Sequence, residues 1–232
     1  MMWTALPIAA AGAFTAWAVR GRSAQVLAPG IWRGPTDRPA IALTFDDGPS
    51  ESTPAVLEIL ARHRVPATFF VCGSNVERLP SIARETAAAG HEIGNHSYSH
   101  PYLFLRTPSG IRRELELAQH AIERHTGVSP RWFRAPYGVR WFGLRSAQAA
   151  FGLTGVMWTT IGYDWKLRAD EVAARVASNT ANGSILCLHD GRELRVRPDT
   201  GATVEAVRRL VPMLLDQGYT FETVTRLICP KN

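Results

Sequence analysis

The chain has few cysteines, almost no lysine and no run of basic residues. Its three cysteines, Cys72, Cys187 and Cys229, show no CxxC spacing, and two of them lie inside apolar runs. That pattern excludes a disulfide scaffold and a cysteine-based metal knuckle, and it leaves buried thiols as the expectation. Lysine is confined to Lys166 and Lys231, so the net charge of +6 is carried by arginines scattered along the chain. Without a massed basic patch, no nucleic-acid partner is expected, although mild attraction to an acidic surface fits the charge. Repeats and low-complexity segments are also lacking. Charge is missing altogether from Met1 to Val19, MMWTALPIAAAGAFTAWAV, after which Arg20 and Arg22 follow. Such a length can just span a hydrocarbon core, but Pro7 and the many alanines weaken it. No basic residue precedes it, which departs from the three-part signal-peptide pattern. Residues 1–22 are therefore expected to be an anchor or an uncleaved signal, residues 23–38 a linker, and 39–232 one domain.

What is present is alternation. Ile41 to Asp46 is a short apolar run ending in polar residues, which predicts a strand. Thr53 to His63 places Val56, Leu57 and Leu60 at helical spacing behind Ser52 as a helix cap. ATFFVC, HEIGNH, WFRAP, GVMWTT and SILCLH read as further strands. Helical stretches over about Leu79–Ala89 and Ser109–His125 stop at Gly90 and Gly127. The chain closes on TVEAVRRLVPMLLDQG and YTFETV. Strands alternating with helices over one domain's length predict an α/β fold with a mostly parallel sheet, open or closed as a barrel. In such folds chemistry gathers at the carboxyl ends of the strands. Polar residues fall there repeatedly: Asp46 and Asp47, then His96, Arg134 and His189, with Asp164 a short loop beyond GVMWTT.

Two of these groups call for a chemical reason. Asp46 and Asp47 are adjacent carboxylates, costly unless their tasks are separated. Read alone, DDGP is equally a solvated turn capping the next helix. His96 and His100, four apart in NHSYSHP, could grip one metal ion from a single turn or loop, or could simply be surface histidines. With one carboxylate the pair becomes a His-His-Asp set that leaves positions open for water and substrate. One aspartate can then ligate the metal while its neighbour acts as a base, and the cation removes most of their repulsion.

TFDDGPS, HSYSH, RAPYG, the DW of GYDW and the late LHD occur in that order. Together they resemble the NodB-homology polysaccharide deacetylases, carbohydrate esterase family 4, over about 39–224. The resemblance implies a distorted (β/α) barrel and a hydrolase that removes N-acetyl groups from an amino-sugar polymer or oligosaccharide. It implies Asp46 as general base, Asp47, His96 and His100 as metal ligands, and His189 as general acid. Arg134 would hold Asp46, the Tyr137 N–H would donate to the oxyanion, and Trp165 and Leu188 would line the acetyl pocket. Asp164 is placed with the substrate-binding residues. The cofactor expected is one divalent ion, zinc on the nitrogen-rich ligand set, with Co2+, Mn2+ and Ni2+ as alternatives. Other readings are a hydrolase of a different acyl bond, an O-acetyl ester or non-sugar amide, and a carbohydrate-binding pseudoenzyme. A glycan substrate implies a membrane-associated or exported protein of the cell envelope, anchored through Met1–Val19, with the side of the membrane open.

The motifs also depart from the family. An Asp usually stands three residues before the Asp-Trp pair, where this chain has Ile161. That carboxylate normally pairs with the acid histidine. Without it His189 is expected to have a lower pKa, unless Asp164 or Asp190 substitutes. Two residues before His189, Cys187 replaces the more usual Leu.

Overall fold

The computed structural model describes residues 5–229. Helix α1 (Ala5–Arg20) leads into β1 (Gly30–Ile31), β2 (Ala40–Asp46) and α2 (Thr53–His63). Then come β3 (Thr68–Val71), α3 (Gly73–Arg78), α4 (Pro80–Ala88) and β4 (Glu92–Asn95). The long α5 (Pro108–Thr126) is followed by β5 (Trp132–Phe133), α6 (Leu144–Ala150), β6 (Thr154–Val156) and β7 (Thr160–Ile161). The chain ends on α7 (Ala169–Ser178), β8 (Ile185–His189), α8 (Gly201–Asp216), β9 (Thr220–Glu222) and α9 (Val224–Ile228).

All strand pairings among the described residues are parallel, in the order β1-β6-β5-β4-β3-β2-β8-β7, with β9 on the start of β2. The stretch 154–161 supplies β6, next to one end of this path, and β7 at the other end. Its first half pairs with β5 and its second half with β8, which closes the sheet into an irregular barrel. The GVMWTT run is thus two short strands, where a single one was expected.

Strand β2 shows how the sequence builds the barrel. All seven of its residues are buried, as expected for a central parallel strand covered on both faces. Ile41, Leu43 and Phe45 face outward into the helix layer, meeting Val56 and Leu60 of α2, Val172 and Val176 of α7, and Leu210 of α8. Ala40 and Ala42 face inward with Phe70, Ile185 and Val156, and α9 plugs that end with Val224 and Leu227. Each of the buried Val, Leu, Ile and Phe side chains contributes about 1.5–3 kcal/mol through burial. Around this core α5 starts where Thr107 accepts from the Gly110 N–H at 3.1 Å. It ends on Gly127, whose φ of 72° suits a residue without a Cβ. Ser52 stands at the start of α2, but its side chain forms no capping bond.

The amino-terminal expectations need correction. Residues 23–38 are not a free linker: Ala24 and Ala28 are buried, and Gly30 and Ile31 pair with Gly155 and Val156. The end of α1 is also tied to the domain. Arg140 donates its backbone N–H to Val19 O at 3.0 Å and its guanidinium to Ala24 O at 2.6 Å and to Gly21 O. Met1 to Thr4, part of the proposed anchor, lie outside the described residues. No helix among the described residues is long and apolar enough to cross a membrane. At 16 residues α1 reaches only about 24 Å, short of a hydrocarbon core of roughly 30 Å.

Candidate active site

The barrel brings its polar strand ends together at one rim. Asp46, Asp47, His96, His100, Tyr137, Trp165 and His189 all line a single open groove of about 750 Å³. Every one of these residues was expected from sequence to belong to one site.

The two aspartates diverge because the chain turns between them. Asp46 ends β2 in extended backbone and points into the barrel, whereas Asp47 has a φ of 72°. Positive φ in a non-glycine residue is uncommon and costs about 1–2 kcal/mol. His100, Tyr137 and Glu193, at 52°, 58° and 54°, share that conformation around the same groove. Such a concentration marks a site where surrounding contacts over-determine the backbone. Asp46 Oδ1 accepts from Arg134 Nη1 at 2.6 Å. The Arg134 side chain is fully buried inside the barrel and also donates to Thr44 Oγ1 and the Val156 and Met157 carbonyls. Its guanidinium lies 4.1 Å from the Phe70 ring centre. Asp46 Oδ2 faces the Cys187 thiol at 3.5 Å. Burial, then the charge of Asp46, push the thiol's pKa well up, so Cys187 stays protonated and acts as a weak donor.

Asp47 Oδ1 lies 3.3 Å from His96 Nε2 and 3.1 Å from His100 Nε2. Those separations match the edges of a tetrahedron with bonds of roughly 2.0–2.1 Å to a central cation. Oδ1 is buried and has no hydrogen-bond partner among the described residues, and the same holds for His100 Nδ1. A buried carboxylate oxygen without a hydrogen-bond partner, set between two imidazole nitrogens, is a donor set that fits a divalent cation. His96 Nδ1 meets the Arg134 carbonyl at 2.8 Å, which fixes its tautomer and leaves Nε2 as the free electron pair. Burial opposes ionisation of Asp47, but the two imidazoles outweigh it and hold the carboxyl well below its usual range. The three side chains can hold a metal ion. Asp46, Cys187 and His189 also converge. That trio suits a metal less well, because its thiol is protonated and its Asp and His already have partners.

The loop carrying both histidines is not helical. Asn95 Oδ1 accepts from the Ser97 N–H at 2.8 Å. Glu114 of α5 accepts from the Tyr98 and Ser99 N–H groups at 3.1 and 2.8 Å. Neither Asn95 nor Glu114 was singled out from sequence. Each bonds to backbone, and nothing in residue type or spacing announces that.

Opposite the Asp47–His96–His100 trio, His189 Nδ1 lies 2.8 Å from Asp164 Oδ1. Asp164 Oδ2 accepts from the His189 N–H at 2.8 Å and from Thr203 Oγ1 at 2.6 Å. Burial alone would lower the pKa of His189. The charge and hydrogen bond of Asp164, with Asp47 and Asp46 behind them, raise it to about 9. The value is thus raised and not lowered, because Asp164, one of the two substitutes considered, takes the place of the absent carboxylate. Ile161 sits opposite Cys187 in the sheet, and Asp164 supplies the carboxylate from the following loop. Asp190 instead turns to Thr53 Oγ1 at 2.5 Å, and burial raises its pKa to about 7.

Asp164 and Leu188 do not sit where the resemblance put them. The carboxylate of Asp164 is consumed by His189 and Thr203, so it orients the histidine and does not face the groove. Leu188 packs in the outer core with Leu186 and Val172. Strand periodicity explains this, since β8 sends Cys187 and His189 inward and Leu186 and Leu188 outward. Trp165, half exposed, stands edge-on to His189 with ring centres 4.9 Å apart. Tyr137 occupies the 3₁₀ turn Pro136–Gly138, with its ring against His100 at 4.6 Å and its hydroxyl 3.1 Å from Glu193 Oε1.

The chain matches the family model for polysaccharide deacetylases over residues 33–156. A chitooligosaccharide deacetylase of Sinorhizobium fredii is 38% identical, covering 83% of this chain and 93% of the relative. A solved peptidoglycan N-acetylglucosamine deacetylase superposes with a TM-score of 0.80 at 32% identity, covering 85% of this chain and 91% of that one. A pseudoenzyme of carbohydrate esterase family 4 from Bacillus anthracis superposes at 0.78 with 32% identity, covering 85% and 68%. A parallel barrel with these motifs at its rim, and relatives that match along most of their own length, make the chain a member of the polysaccharide deacetylase family.

Proposed function

We propose that the protein is a metal-dependent hydrolase that removes N-acetyl groups from an amino-sugar glycan of the chitooligosaccharide or peptidoglycan kind, releasing acetate. The observation that carries this reading is the pairing, across one groove, of a buried Asp-His-His cradle with two polarised dyads, Asp46–Arg134 and His189–Asp164. Asp47, His96 and His100 would hold the cation, and one carboxylate with two imidazoles favours zinc. When bound, the cation supplies Lewis-acid polarisation and lowers the pKa of a nearby water.

The remaining work falls to this chain's own groups. Asp46 accepts the proton of the attacking water, oriented by Arg134 on one oxygen and by Cys187 on the other. The Tyr137 N–H, in the first turn of a 3₁₀ segment where it has no intrahelical acceptor, donates to the developing oxyanion. Asp164 accepts the Nδ1–H of His189 and stabilises its imidazolium form, in which Nε2 carries a second proton that His189 gives to the departing amine. Trp165 shields the acetyl group from bulk water. A peptidoglycan substrate would put the protein in the cell envelope. The exposed Phe14 and Trp17 of α1 suit attachment to that surface.

The test is acetate release from N-acetylglucosamine oligomers and peptidoglycan, with and without chelator, beside an O-acetyl ester and a non-sugar amide. Chelator-sensitive release from the sugars supports the reading. Release from the ester or simple amide alone replaces it, and no release from a metal-loaded, folded protein leaves a carbohydrate-binding role.

A further inference from the structure

A line of aromatic rings leaves the groove on the metal-cradle side. Tyr137, against His100, stacks on Tyr102 with ring centres 4.0 Å apart and planes at 11°. Tyr102 meets Phe104 at 5.5 Å, Phe104 meets Trp141 at 6.2 Å, and Trp141 meets Phe142 at 5.3 Å. Tyr102, Phe104 and Phe142 are 45%, 43% and 65% exposed. Large exposed apolar side chains occur singly on most surfaces, but a connected row needs an explanation.

The row is built rigidly. Leu103 is fully buried between Tyr102 and Phe104 and anchors the 3₁₀ segment Leu103–Leu105 from within. Gly143, just after Phe142, has a φ of 89°, and a Cβ there would lie 2.7 Å from Pro108 Cα. The turn after Phe142 thus packs closely on the start of α5, just beyond the Leu103–Leu105 segment, which limits the entropy lost when a ligand docks.

We infer that the strip from Tyr102 through Phe104 and Trp141 to Phe142 is an extended binding track for the sugar rings of a glycan chain beyond the unit being deacetylated. Three features select a sugar chain over other occupants. The track is continuous with the groove through Tyr137, so a chain threaded past the cradle runs onto it. Its members are flat rings, one with a hydroxyl at the edge (Tyr102) and one with an indole N–H (Trp141), which suits a pyranose with an apolar face and a polar rim. The opposite rim of the groove carries a second exposed pair, Tyr163 and Trp165, with ring centres 5.3 Å apart.

The inference rests on the deacetylase reading and adds that the substrate is a chain, bound over several units. The experiment measures kcat/KM for N-acetylglucosamine oligomers from dimer to hexamer, in the parent and in Phe104→Ala, Phe142→Ala and Phe104→Tyr. Binding of each protein to vesicles of anionic phospholipid is measured in parallel. The hexamer-to-dimer ratio is expected to exceed one in the parent and to fall about tenfold in each alanine variant, the scale of one anchoring aromatic. Phe104→Tyr should keep most of that ratio. A parent that treats dimer and hexamer alike, or alanine variants with an unchanged ratio, would overturn the track. Loss of vesicle binding with an unchanged ratio would assign the strip to a lipid surface instead. Failure of the deacetylase reading looks different, because then no oligomer releases acetate.

Discussion

The two ends of the barrel are built from the same strands and do opposite things. Along the inner face of β2, Ala40 and Ala42 meet Val224 and Leu227 in a dry apolar plug, whereas Thr44 and Asp46 meet a buried arginine. At the plug each residue lowers the free energy by leaving water. At the rim Asp46, Asp47, Arg134 and Asp164 are each buried with a polar partner within reach. Such groups are tolerated because they are paired, and they confer little net stability. Positive-φ residues cluster at the rim as well. The plug holds the fold so that the rim can be strained and charged.

Several substitutions would break or sharpen this contrast. The largest effect is expected from His96→Ala, which removes one of the three proposed ligands: elemental analysis should show metal lost, and turnover should fall to background. Retained stoichiometric metal in that variant would remove His96 from the cradle. Asp46→Asn should come next, keeping the metal while turnover drops about 10²–10⁴-fold, because an amide accepts no proton from water. Equal metal loss in Asp46→Asn and Asp47→Asn would erase the division between base and ligand.

At the other end, Leu227→Ala should cost about 2–5 kcal/mol in denaturant unfolding. Its kcat should stay close to the parent's while the protein remains folded. A large drop in kcat would mean that the two ends are not separable.

The smallest effect expected is a shift in pH dependence from Asp164→Asn. His189 has a folded pKa raised to about 9 by Asp164, against about 6.5 unfolded. The stability it contributes is therefore fully present below about pH 6.5 and is lost as pH rises through about 9. Its role as acid fails over the same alkaline range. In Asp164→Asn the alkaline limb of the pH–rate profile should move down, toward or below the unperturbed value. An unmoved limb would show that another group sets it.

Much of the rim was legible in the sequence, because a motif residue at the end of a predicted strand has few places to go. Asp46, His96, Arg134 and His189 end or follow strands and meet at one rim. Leu188 was misplaced because adjacency to His189 in the chain says nothing about which face of β8 it takes. The gap at Ile161 left Asp164 and Asp190 as candidate substitutes, and chain position alone could not show that Asp164 is the one whose loop returns to His189 Nδ1. Thr203 and Glu114 went unnoticed for a related reason: they act on other residues or on backbone, and their types and spacings are ordinary.

By itself the amino-acid sequence determined the alternation of strand and helix, the apolar faces that drive burial, and the chemistry available at each strand end. Those follow from local periodicity and residue type. Only the tertiary structure decided that residues 154–161 close the barrel from both sides, that 23–38 pack into it, and that exposed rings from two loops line up with the groove. Each of these depends on which distant segments share the space around one strand, and that is settled by packing the whole chain at once.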